Sequence, residues 1–318
     1  MRRDSNAAMI RQTLLLRAVP DLKTQLSRYQ LLGRRVRSAM FLTLLGIMLP
    51  ACNHLFYFPD PDTHWTPDQF QIKWHDVRFK SGDGTALHAW HLDAGKDALG
   101  TVLQFHGNAE NLSTHFASVA WLVKAGYDVV VFDYRGYGKS AGKPERAGTV
   151  ADGIAAINWV RAHPRLKAQP LFIIGQSLGG AISVPALVKA GDDGVRGLIL
   201  DSTFHSYRGV ARDRLGAVWL TWAFQWPLSF LITDELSPID WIDRVRVPIL
   251  FLHGVRDPVV PAHLGRKLFE AAPATSADGT PKAFWDIELA GHVSAFAGEV
   301  TPTKSRFVAW LSERSRQK

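Results

Sequence analysis

Short runs of consecutive bulky apolar residues alternate along this chain with segments whose apolar residues return every three or four positions. The runs lie within 101–105, 127–134 (Val129-Val130-Val131-Phe132), 171–174 (Leu171-Phe172-Ile173-Ile174), 197–201, 247–252 and 283–289. They are too short for helices and lack a polar face, which suits strands covered on both sides as in a parallel sheet. Between them, Phe116, Val119, Ala120 and Val123 fall on one helical face that closes at Gly126, and Val150, Ile154, Ile157 and Val160 do the same within 149–162. A helix of small residues begins at Leu178, and another lies around 307–311. Upstream, 76–80 and 86–92 flank Ser81-Gly82-Asp83-Gly84 and read as a hairpin of two edge strands, the Asp-Gly pair suiting a tight turn. Residues 55–68, rich in aromatics and proline, read as a surface lead-in.

Strands alternating with helices over this length predict an α/β fold, a doubly wound, mostly parallel sheet that binds ligands at the carboxyl ends of its strands. One stretch breaks the alternation. Residues 205–242, between the predicted sixth and seventh strands, carry Trp219, Trp222, Phe224, Trp226, Phe230 and Trp241. An apolar insertion of this length predicts a cap over the strand ends that offers a greasy wall to a substrate or touches a bilayer. The competing expectation is a crossover helix whose tryptophans pack into the core.

The 318 residues are 47% hydrophobic and 21% charged, with a formal charge of +8. A basic excess of that size raises nucleic acid as a partner, but residues 1–38 alone hold eight Arg and one Lys against Asp4 and Asp21, a net of +7. The remainder carries about +1, so no nucleic-acid partner is expected. Cys52 is the single cysteine, which excludes an internal disulfide and a multi-cysteine zinc site. It follows Arg34-Arg35-Val36-Arg37, an apolar stretch over 39–49, and Leu49-Pro50-Ala51. That order resembles a bacterial lipoprotein signal, with Cys52 as the lipid anchor. Pro50 and the long basic leader depart from the pattern, and an uncleaved membrane anchor or an amphipathic helix is the other reading of the same stretch. In either case a membrane association through the N-terminus is expected, at the periplasmic side of a bacterial cell envelope.

The chemistry centres on Gly175-Gln176-Ser177-Leu178-Gly179. A buried strand that turns abruptly into a helix at G-x-S-x-G exposes the serine at the apex, the glycines leaving room where a Cβ would crowd the turn. Ser177 then needs a base, and in such a sheet the acid and the histidine follow in that order on loops after later strands. Asp257, shortly after the strand within 247–252, is the expected acid, with Asp201 its rival. His292 directly follows the last predicted strand, whereas His263 sits in the first turn of a helix and is expected to point away. Backbone N–H groups of Asn108 and Leu178 are the expected oxyanion hole.

Taken with His106-Gly107-Asn108-Ala109-Glu110-Asn111, Phe132-Asp133-Tyr134-Arg135-Gly136-Tyr137-Gly138-Lys139-Ser140, Leu252-His253-Gly254 and Gly291-His292, these residues resemble the α/β-hydrolase family. The closer similarity is to its bud-emergence-type and protein-depalmitoylase-type serine hydrolases, over about residues 75–315. With the N-terminal signal read above, the expected organisation is a leader over 1–52 and a hydrolase domain over 53–318, with 205–242 as its cap insertion. The resemblance implies esterase, thioesterase or related acyl hydrolysis on a small-molecule or lipid-like substrate, with no metal or organic cofactor. A peptidase or amidase using the same triad, and a non-catalytic envelope scaffold, are the alternatives.

Overall fold

In the computed structural model of the chain, residues 56–298 and 302–316 are described; the leader, the apolar stretch over 39–49 and Cys52 lie outside them. Eight strands form one sheet: β1 (Trp74–Lys80), β2 (Ala86–Leu92), β3 (Gly100–Phe105), β4 (Tyr127–Phe132), β5 (Leu171–Gln176), β6 (Val195–Asp201), β7 (Ile249–Gly254) and β8 (Ala283–Ile287). Their order is 8-7-6-5-3-4-2-1; β2 pairs antiparallel with both β1 and β4, and every other neighbouring pair is parallel. The hairpin forms as expected, with Gly84 at φ 87°, but only β1 is an edge, because β2 also pairs with β4.

Side chains alternate across the sheet, and both faces are greasy. Leu103, Phe105, Val130, Phe132, Ile173, Leu198 and Phe251 face one core, while Val102, Val129, Val131, Phe172, Ile174, Ile199 and Leu250 face the other. This is why the strands read as unbroken apolar runs rather than as an alternating pattern. On the first face pack α1 (Arg146–Ala162), α2 (Leu178–Ala190) and, through Leu264 and Leu268, α4 (Ala262–Ala271). On the second pack α5 (Pro302–Ser315) and the segment after β3. That segment is not the single helix its spacing predicts. It is broken into Leu112–His115, a 3₁₀ turn at Phe116–Ser118, and Trp121–Lys124, ending at Gly126 with φ 91°. Phe116, Val119 and Leu122 are buried all the same, because short helical turns in sequence can still present one face.

Residues 55–68 are more than a lead-in. Phe58–Pro59 forms a parallel bridge with Ala109–Glu110, and the Asn111 amide donates to the carbonyls of Asp60 and Asp62. A two-residue bridge has no periodicity for a sequence to display.

The insertion between β6 and β7 contains α3 (Tyr207–Ala217) and short helical turns. Trp219 is 86% exposed, and Trp222, Phe224, Trp226 and Phe230 are also exposed; Trp241 alone among the six aromatics packs against the core. The expectation that these aromatics fill the core therefore fails at five of the six positions and holds only at Trp241. The cap is tied to the strand ends. Arg214 at the end of α3 donates to the carbonyls of Pro258 and Val259, and Asp213 pairs with His263 at 3.1 Å. Among the described residues no helix is long and apolar enough to cross a membrane.

Candidate active site

β5 ends at Gln176 and α2 begins at Leu178, so the chain turns within a single residue. That residue, Ser177, sits at φ 53° and ψ −117°, a conformation costly for any side chain and held only when its surroundings over-determine it. The surroundings do so. Ser177 N–H donates to the Asp201 carbonyl at 2.9 Å, and the Ser177 carbonyl accepts from the Thr203 hydroxyl at 2.9 Å and from Gly180 N–H at 3.1 Å. A Cβ on Gly175 would lie 2.5 Å from Ser183 Oγ, and one on Gly179 would collide with the backbone carbonyls of Phe105 and His106. The glycines are thus fixed by close approach, as their spacing predicts.

The predicted acid and the predicted base meet. Asp257 lies just beyond β7, and His292 in the loop after β8; His292 Nδ1 and Asp257 Oδ2 are 2.8 Å apart. Burial pushes the Asp257 carboxyl up, but the His292 hydrogen bond and the N–H groups of Val260 and Val259 outweigh it and hold its pKa below the ordinary value. A carboxylate held ionised against Nδ1 fixes the tautomer that leaves Nε2 free to accept a proton. Among the described residues His292 is hydrogen-bonded to Asp257, and no hydrogen bond joins it to Ser177 Oγ. In a free enzyme that last contact is often long and tightens with substrate. His263 points away to Asp213, as expected. Asp201 contacts no histidine: it lies fully buried beneath the elbow, bonded to Gln176 and Ser202.

The loop after β3 is built to aim its amides. His106 Nδ1 is 2.8 Å from the Gly107 carbonyl, and in a trans peptide the Asn108 N–H then points the opposite way. Tyr137 Oη donates to the Asn108 carbonyl at 2.8 Å, Phe58 N–H donates to the same oxygen at 2.9 Å, and Tyr134 Oη donates to the His106 carbonyl at 3.1 Å. Leu178 N–H is the first donor of α2 and has no acceptor within the helix. Gly179 lies against Phe105 and His106, which brings the start of α2 beside this loop. Tyr134 and Tyr137 are the positions that sequence reasoning left without a role; the only signal was their place in the tract between β4 and α1. That tract is anchored by Arg135, whose guanidinium and backbone N–H both bind the buried Asp152 carboxylate.

A cavity of about 860 Å³ lies behind the histidine loop, walled by Phe70, Trp121, Lys124, Val293 and Phe296 and not by Ser177, Asp257 or His292. Among the described residues no cluster of His, Cys, Asp and Glu could hold a metal ion.

Comparison with known proteins identifies the family and the fold. Residues 96–234 match the family described as serine aminopeptidase, S33. The chain is 35% identical over 250 residues to the protein YfhR of Escherichia coli O157:H7, covering 77% of this chain and 81% of that one. It is 31% identical over 218 residues to the α/β-hydrolase domain-containing protein WAV2 of Arabidopsis thaliana, covering 66% of this chain and 70% of that one. The chain belongs to the α/β-hydrolase family. An esterase of Pyrococcus furiosus has the same fold at a TM-score of 0.62 and 21% identity, over 81% of this chain and 96% of that one. Family and fold together support a hydrolase, and within that family Ser177 occupies the strand-to-helix turn where the nucleophile is expected.

Proposed function

We propose that the chain is a serine hydrolase that cleaves carboxylic ester or thioester bonds. The observation that carries this is the pairing of Asp257 with His292 at 2.8 Å at the same end of the sheet where Ser177 is held at φ 53°. In this reading His292 Nε2 takes the proton from Ser177 Oγ as the oxygen attacks the acyl carbon. The N–H groups of Asn108 and Leu178 receive the developing oxyanion, and the imidazolium returns its proton to the departing alcohol or thiol. Water, deprotonated by the same imidazole, then releases the acid and restores Ser177. Asp257 stays ionised throughout and stabilises the imidazolium.

A serine at position 177 does not favour the alkyl-ester chemistry of relatives that place an aspartate at the elbow. The family description, serine aminopeptidase, keeps amide cleavage as the second reading. Labelling of the purified full-length protein with a fluorophosphonate, followed by turnover of p-nitrophenyl esters of graded acyl length against aminoacyl anilides, tests both. The expected result is labelling that vanishes in Ser177→Ala and turnover of esters ahead of anilides. An unlabelled wild-type protein would mean a scaffold on a hydrolase fold. The same reading attaches the protein to a membrane by a lipid on Cys52; mass spectrometry of the mature N-terminal peptide is its test.

A further inference from the structure

Among the described residues, six that are not glycine have φ in the left-handed region, and three of these belong to one small neighbourhood: Ser177 at 53°, Ser202 at 54° and Val293 at 52°. Val293 is the most telling, because a β-branched side chain tolerates that conformation least. These residues end β5, follow β6 and follow His292, and hydrogen bonds join them. Val293 N–H donates to Ser202 Oγ at 3.1 Å, the Ser202 hydroxyl donates to Asp201 Oδ1 at 3.2 Å, and Ser177 N–H donates to the Asp201 carbonyl at 2.9 Å.

The other oxygen of Asp201 is engaged from the far side. Gln176 Nε2 donates to Asp201 Oδ2 at 3.1 Å, while Gln176 Oε1 accepts from Gln104 Nε2 at 2.6 Å and from Ser118 Oγ at 3.1 Å. Gln176 Nε2 and the Ser202 hydroxyl thus both donate to Asp201, and Gln176 cannot reverse its amide without breaking both bonds to its oxygen. Asp201, Gln176 and Gln104 are wholly buried and Ser202 is 1% exposed, so no water shares these bonds at the surface. A buried network of this kind, in which only Gln104 Oε1 has no partner among the described residues, favours one geometry, and losing a further member leaves another costly orphan. Burial pushes the Asp201 carboxyl up to about 6, against the hydrogen bonds of Gln176 and Ser202, which marks the cost at which the acid is kept there.

We infer that Asp201, acting through the Ser202 hydroxyl, is a positioning residue that clamps the Val293 peptide and thereby sets where His292 stands over Ser177. Asp257 orients the imidazole ring; Asp201 fixes the backbone that carries it. The role in catalysis rests on His292 being the base proposed above, while the clamp itself can be read without any turnover.

The experiment uses the full-length protein and two variants, Ser202→Ala and Ser202→Gly; glycine removes the hydroxyl while suiting φ 54°, so the backbone is not strained by the change. Amide hydrogen exchange over 290–296 is expected to accelerate at least tenfold in both variants, with no change over 257–260. The rate of fluorophosphonate labelling and kcat for p-nitrophenyl acetate are expected to fall 10- to 100-fold with KM within twofold, and Asp201→Asn to behave alike, because its amide would face the Gln176 amide donor to donor. Unchanged exchange over 290–296 in a folded Ser202→Gly protein overturns the clamp. Faster exchange with wild-type kcat overturns its role in positioning the base. A wild-type protein that takes no label, with the exchange difference intact, overturns the serine-hydrolase reading and leaves the clamp standing.

Discussion

Asp257 and His292 stand thirty-five residues apart in the chain and meet at 2.8 Å, Oδ2 to Nδ1, because β7 and β8 are parallel neighbours whose carboxyl ends release both loops at one rim. A Cβ at Gly254, the last residue of β7, would collide with the carbonyls of Ala290 and Gly291, so the two loops are in backbone contact there. The pair is thus a product of sheet order, and it governs what substitution at either residue does.

Asp257→Asn is expected to keep the fold and lower kcat by about 10⁴-fold, because an amide facing Nδ1 favours the wrong tautomer. Steady-state kinetics beside an unfolding curve measure both. Because the folded pKa of Asp257 is depressed, its contribution to stability is present above its ordinary value near 4 and is lost as pH falls through the lower folded one.

Asp201 has the opposite sign. Its folded pKa is raised to about 6, so the stability it contributes is full below its unfolded value and is lost as pH rises through 6. The difference in unfolding free energy between wild type and Asp201→Asn should shift against wild type from pH 4 to pH 7.5. The expected size is on the order of 3 kcal/mol, from two pKa units at about 1.4 kcal/mol each. Urea unfolding of both proteins at the two pH values reads it, and a constant difference would contradict it.

Gly179→Ala is expected to destabilise by about 3 kcal/mol or more, since the added methyl meets the Phe105 and His106 carbonyls, which cannot swing aside as a flexible side chain can. Thermal unfolding gives the loss, and any folded fraction should label slowly because the turn must open.

Tyr137→Phe removes one of two donors to the Asn108 carbonyl and leaves Phe58 N–H in place. A loss of roughly 1 kcal/mol is expected, read as a kcat about fivefold lower with KM little changed, because the oxyanion donor is then less firmly aimed.

Trp219→Ala is expected to change stability by less than about 0.5 kcal/mol, since a side chain 86% exposed has little packing to lose. Denaturant unfolding tests this, and a loss of core size would restore the reading in which the cap's tryptophans are buried.

Much of the fold was legible because the period of the apolar residues encodes it. Runs such as Val129 to Phe132 can be covered on two faces only within a parallel sheet, and Gly175 and Gly179 around Ser177 announce a turn that excludes Cβ atoms. The broken segment after β3 and the Phe58–Pro59 bridge were not legible, since elements of two to four residues are held by long-range partners rather than by local pattern. The positions of Ser177, Asp257 and His292 along the chain followed from the order of strands. The meeting of Asp257 with His292 did not: which loops share a rim depends on the 8-7-6-5-3-4-2-1 arrangement, and strand order is set by packing between residues far apart in sequence. The tertiary structure alone also separates the surroundings of Asp257 from those of Asp201. Both aspartates follow a buried strand, but one emerges beside an imidazole while the other is sealed beneath the elbow, where desolvation and its donors give it a different task.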